Sequence, residues 1–171
     1  MTRAMTTIYP LENQISEAIA EYVRTNKNIR QSNYAIPSKA SISNILHNKL
    51  LISNLIRSGV PLHLFEMIQS MSPFTEVQWA AFLGISTKTL SRNKQSKLFI
   101  FKPLQSERII AIAEFVLAAF EVFEDEEQFL LWLNSPSYAL GNNKPVDLLG
   151  DHYGRELVLT ELIHIDHGIF A

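Results

Sequence analysis

EVQWAAFLGISTKTLSRN, residues 76–93, has the spacing of two short helices joined by a tight turn. Trp79 and Leu83 stand four apart, as the buried positions of the first helix must. Ala80 is small where the second helix has to cross closely, and Gly84 tolerates the positive φ that the turn requires. Ile85 plugs the turn and Leu90 anchors the second helix. Thr75 reads as the N-cap of the first helix, while Ser86 opens the second, which is expected to run to about Gln95. This is a helix-turn-helix pattern with one departure. Three residues after Leu90, where an apolar residue is usual, stands Asn93, so Leu98 or Phe99 is expected to close the core instead.

The exposed positions of that second helix are rich in donors. Ser86, Thr87, Lys88, Thr89, Ser91, Arg92 and Lys94 can all donate hydrogen bonds, and Lys97 follows just beyond. A recognition helix lies in the major groove with its N-terminal residues near base edges. Thr87, Lys88 and Arg92 are therefore expected near bases, and Ser86, Lys94 and Lys97 near phosphates. A solvated helical hairpin would show the same apolar spacing. What separates the two readings is charge: residues 86–108 carry six Lys/Arg against the single acid Glu107. Phosphate neutralisation supplies most non-specific DNA affinity, so motif and charge point the same way.

The rest of the chain is polarised around this segment. Net charge is −2. Residues 1–60 carry seven Lys/Arg against three acids, whereas residues 109–171 carry Lys144 and Arg155 against eleven. DNA would repel that acidic third, which is better suited to a protein partner. With 47% apolar and 19% charged residues, a packed core is expected. The absence of cysteine excludes disulfides, thiolate metal sites and cysteine nucleophiles. The longest apolar stretch, 109–123, is interrupted by Glu114 and Glu121, and MTRAMTTIYP lacks the apolar region of a signal peptide, so the expected location is the cytoplasm.

Nearly every segment reads helical, which gives an all-α fold class. Helices are expected over about 10–24, from Ser41 to Gly59, over 61–70, from Gln105 to Phe123, from the acidic run 124–127 to Leu133, at VDLL, and from Tyr153 to Ile165. The Asn-rich segment 25–40 reads as a loop, and KLFIFKPL (97–104) is the one strand-like stretch. The helix 105–123 is apolar nearly all round. Its surplus predicts a dimer interface through Ile109, Ile112, Phe115, Val116 and Phe120.

Residues 104–171 add a combination of features. Ser106 to Arg108 open the long helix and Phe123 closes it; Trp132-Leu133 precede Pro136. Ala139-Leu140-Gly141, Pro145, Asp147 and Leu148-Leu149 follow, and Gly154, Glu156, Val158, Leu162 and Gly168 complete the set. Read physically, these residues serve loop geometry and core packing. Together with FLGISTKTLSR upstream, they make the chain resemble the Xre/ParS/MbcA antitoxins, over about 60–171. Members of that family pair with RES-domain toxins that degrade NAD. The resemblance implies a homodimer that binds operator DNA through the helix-turn-helix, represses its own operon, and occludes the toxin's active site with its C-terminal region. The segment ELIHIDHGIFA is the expected blocking element, with His164, His167, Gly168, Ile169, Phe170 and Ala171 against the toxin. Ile169 and Phe170 are apolar where terminal residues are usually polar.

The expected organisation is an N-terminal helical extension of open role (1–58), an Xre-like helix-turn-helix region (59–103) and a toxin-binding and dimerisation domain (104–171). No enzyme is expected. His164 and His167 sit three apart but no third metal ligand is placed by a known pattern, and no phosphate loop or nucleophile elbow occurs, so neither a metal nor a cofactor is expected. The alternative to an antitoxin is a stand-alone helix-turn-helix regulator with no toxin. A neighbouring reading frame encoding a RES domain separates the two.

Overall fold

The computed structural model describes residues 18–26, 46, 48–123 and 125–168. Among these the chain folds into helices alone, as its periodicity predicts. They are residues 18–25 (α1), Lys49–Ser58 (α2), Leu62–Met71 (α3), Glu76–Leu83 (α4), Thr87–Lys94 (α5), Pro103–Val122 (α6), Glu126–Asn134 (α7), Pro145–Leu148 (α8) and His152–Asp166 (α9).

Local chemistry sets most of the boundaries. Thr75 and Gln78 form a capping box on α4: the Gln78 N–H donates to Thr75 Oγ1 at 3.3 Å and the Thr75 N–H to Gln78 Oε1 at 2.9 Å. Gly84 ends α4 with φ +67°, and Ser86 caps α5 by accepting from the Thr89 N–H at 3.1 Å. Asp125 caps α7 and Asp151 caps α9. Two boundaries differ from the sequence expectation. The helix expected from Ser41 to Gly59 is interrupted at Asn48, whose side chain accepts from the Leu51 N–H at 3.1 Å and starts α2 afresh; Ser41 itself lies outside the described residues. The long helix begins at Pro103, two residues before Gln105, because proline's fixed φ suits the first helical position.

The segment 97–104 forms a single antiparallel bridge, Pro61 to Ile100, and no extended strand. The Leu62 N–H donates to the Phe99 carbonyl at 2.8 Å and the Phe101 N–H to the Val60 carbonyl at 2.9 Å. Of the two residues expected to close the core behind Asn93, it is Phe99 that packs, edge-on to Phe101 at 5.0 Å, while Leu98 is 91% exposed.

One helix organises the whole core. α6 packs against α2, α3, α4, α7 and α9, and Ile109, Ile112, Phe115, Val116 and Ala119 are all buried along it. Phe65, Trp79, Phe101, Phe115 and Phe129 are the largest wholly buried rings. The N-terminal segment shares this core: Ile19, Val23, Leu46, Leu51 and Leu55 are buried, and the Tyr22 hydroxyl donates to the Gly59 carbonyl at 2.8 Å. Burial raises the Tyr22 hydroxyl above its ordinary pKa, partly offset by a hydrogen bond with the Asn26 side chain.

Two buried polar groups lock α6 to its surroundings. Ser106 accepts from the Val60 N–H at 2.8 Å and donates to the Phe101 carbonyl at 3.1 Å. Arg155 on α9 donates from Nη1 to the Leu149 carbonyl at 3.2 Å and pairs through Nη2 with Glu107 Oε1 at 3.1 Å. Gly154 lets α9 approach α8, since a Cβ there would overlap the Leu148 carbonyl. Ser106→Ala strands the buried Val60 N–H. It is expected to cost about 1–3 kcal/mol in a denaturation experiment, and a loss below ~0.5 kcal/mol would contradict that role.

Candidate functional site

The helix-turn-helix is assembled as its spacing predicts. Trp79, Ala80, Leu83 and Leu90 are buried, and Ile85 packs against the same core. With Leu90 inward, Thr87, Lys88, Ser91 and Arg92 (positions i, i+1, i+4 and i+5) share one continuous face of α5, and all four are exposed. This is a row of two hydroxyls and two cations with no acid among them, a surface suited to phosphate oxygens and base-edge acceptors.

The other sequence-predicted contacts divide. Lys97 is exposed in the loop after α5. The Ser86 hydroxyl is occupied by the cap and by Thr89 Oγ1 at 2.9 Å, and Thr89 is half-buried. Lys94 is held by Glu76 on α4, Nζ to Oε2 at 3.2 Å, with its side chain only 23% exposed. Its charge is therefore partly offset inside the motif. Sequence reasoning passed over Arg108, which α6 delivers to the turn between α4 and α5: its guanidinium sits where a Cβ on Gly84 would be. Lys102, the N-cap residue of α6, is exposed as well. The only hint of either in the sequence was the cationic run 86–108.

Four of the five expected dimer contacts require correction. Ile109, Ile112, Phe115 and Val116 are all within 1% of complete burial inside the chain's own core, and Phe120 packs there beside Phe129 at 5.7 Å. Five helices pack against α6, so Ile109, Ile112, Phe115 and Val116 have no free face to offer a second subunit, whereas Phe120 stays half-buried.

The C-terminal third presents a different surface. Trp132 packs among Phe115, Phe123 and Phe129 at ring distances of 5.3–6.4 Å. The turn after it uses positive φ at Gly141 and Asn142. His164 lies 3.9 Å from Glu161 Oε2 and His167 caps α9; Gly168 follows with φ +68°. Ile169, Phe170 and Ala171 lie outside the described residues. Among the described residues no group of three or more His, Asp or Glu could hold a metal ion, and no helix is long and apolar enough to cross a membrane. Five of the large apolar side chains left exposed are in this third: Leu131, Tyr138, Tyr153, Leu157 and Ile163.

Comparison with family models gives two matches. Residues 52–114 match the antitoxin Xre-like helix-turn-helix domain, and residues 118–168 match the antitoxin Xre/MbcA/ParS C-terminal toxin-binding domain. The first spans α2 to the middle of α6, and the second runs from the end of α6 through α9. No curated protein matches the chain.

Proposed function

The chain belongs to the Xre-type antitoxins, and on that premise we propose that it inhibits a cognate NAD-degrading RES-domain toxin in the cytoplasm and represses its own operon. The supporting observation is the polarity of one folded chain: an acid-free exposed row on α5, and a matched toxin-binding domain, residues 118–168, with ten acids against two bases. In this reading α5 enters the major groove of the operator. Thr87, Lys88, Ser91 and Arg92 face the bases, and Lys97, Lys102 and Arg108 face phosphates. Two copies, related by a two-fold axis, present two such helices to a palindromic site.

The toxin-binding half acts by occlusion. α9 ends at Asp166 and Gly168 leaves the helical conformation. In this reading His164, His167, Gly168, Ile169, Phe170 and Ala171 sit at the mouth of the toxin's NAD site, with Ile169 and Phe170 as its apolar plug.

Arg92→Ala tests the operator half. It is expected to weaken binding to a duplex carrying the upstream promoter about tenfold, with toxin inhibition unchanged. Fluorescence anisotropy at two salt concentrations reads this. Unchanged affinity at both salts would remove Arg92 from the interface.

A further inference from the structure

α9 is buried on one side and unexpectedly apolar on the other. Gly154, Arg155, Val158 and Leu162 face the core. Opposite them, Tyr153, Leu157, Thr160 and His164 follow a spacing of four, three and four, which at 3.6 residues per turn confines them to an arc of about 60°. This is the midline of the outward face, where a free helix normally carries charge. Instead Tyr153 is 76% exposed and Leu157 56%.

A third exposed apolar group lies on a turn that is bonded to α9. The Ser137 hydroxyl donates to Glu161 Oε1 at 3.4 Å, and the Ser137 N–H donates to the Asn143 carbonyl at 3.0 Å, closing the turn 137–143. The turn is thus fastened to α9 at Glu161, one helical turn beyond Leu157. On it Tyr138 is 81% exposed. Glu156 and Glu161 border the row on its two sides.

We propose that Tyr138, Tyr153 and Leu157 form the affinity anchor for the toxin, distinct from the C-terminal segment that blocks its active site. The inference rests on the toxin-binding reading above and adds a second, separable surface to it. Tyrosine and leucine present large contact area at small entropic cost and are effective anchors once desolvated. The acidic border and the net negative charge of this third exclude DNA as the occupant and call for a protein surface with an apolar depression rimmed by Lys or Arg. The row also leads along α9 to His164 and Gly168, where the blocking segment begins, so one partner can engage both.

The test uses the full chain and the RES-domain toxin encoded beside it. Tyr153→Ala/Leu157→Ala is expected to weaken the complex roughly 30-fold or more by calorimetry, with thermal stability and operator binding unchanged, because both side chains already face water. Truncation after His167 is expected to do the reverse: it keeps the complex within about tenfold and loses inhibition. If the unaltered chain fails to bind the toxin, the toxin-binding reading itself falls and the anchor with it. If the unaltered chain binds and the double variant binds equally well, the anchor alone is refuted. A drop in oligomeric state of the free double variant by sedimentation would assign the face to a second copy of the chain and equally overturn it.

Discussion

Trp79→Ala is expected to lower the free energy of unfolding by about 3–5 kcal/mol, the usual range for removing a buried aromatic side chain. Trp79 is wholly buried in α4. It meets Phe65 edge-on at 5.1 Å, Phe74 at 6.2 Å and Phe82 at 6.1 Å, and its indole N–H donates to Ser72 Oγ at 3.0 Å. Alanine removes the rings' common partner, opens a cavity and leaves Ser72 without that donor. Small domains are stable by only about 5–15 kcal/mol, so the variant loses roughly a fifth or more of its margin. The effect reaches function because α5 is held through α4. Operator binding is expected to fail at a temperature where the unaltered chain still binds. Urea denaturation followed by far-ultraviolet circular dichroism measures the change, and Trp79→Phe, which keeps a ring but not the donor, should recover more than half of it. A loss below ~1 kcal/mol for alanine would mean that the helix-turn-helix is not built around this residue.

Truncation after His167 is the second large effect, and it acts on function with little effect on stability. The four residues removed follow the C-cap of α9, and the last buried residue of that helix is Leu162. Among the described residues none of the core is removed, and operator binding is expected to stay within about twofold. Inhibition of the toxin is expected to fall at least ~100-fold, because the proposed plug, Ile169 and Phe170, is gone. In cells producing both proteins the intracellular NAD pool should collapse with the truncated form and hold with the full chain. Full protection by the truncated form would place the inhibitory contact elsewhere, and the anchor on α9 would then have to block the site by itself.

The parts of this protein that could be read from its sequence are those set by neighbours three or four residues away. Thr75, Gly84 and Ser86 define the ends of α4 and α5 through capping bonds spanning three residues or a single backbone angle, and each does in the structure what its position predicts. The bridge at Pro61 and Ile100, the pair Lys94–Glu76 and the pair Arg155–Glu107 join residues 39, 18 and 48 positions apart. No periodicity encodes such pairs; they exist only because the helices pack. The same limit explains why four of the five residues expected at a dimer interface lie in the chain's own core. A helix apolar on every side must be buried on every side, but the pattern of 105–123 does not say whether its own chain or a second copy covers it. Five surrounding helices do. For the outward face of α9 the information was present in the sequence, as Tyr153 and Leu157 four apart. It became meaningful once Val158 and Leu162 were seen to be the buried ones.

The most direct measurement is the rate at which the purified RES-domain toxin consumes NAD as the full chain is titrated in. The account predicts that consumption stops near a fixed stoichiometry and that adding operator duplex does not restore it. Undiminished NAD consumption at a large excess of the chain would contradict it.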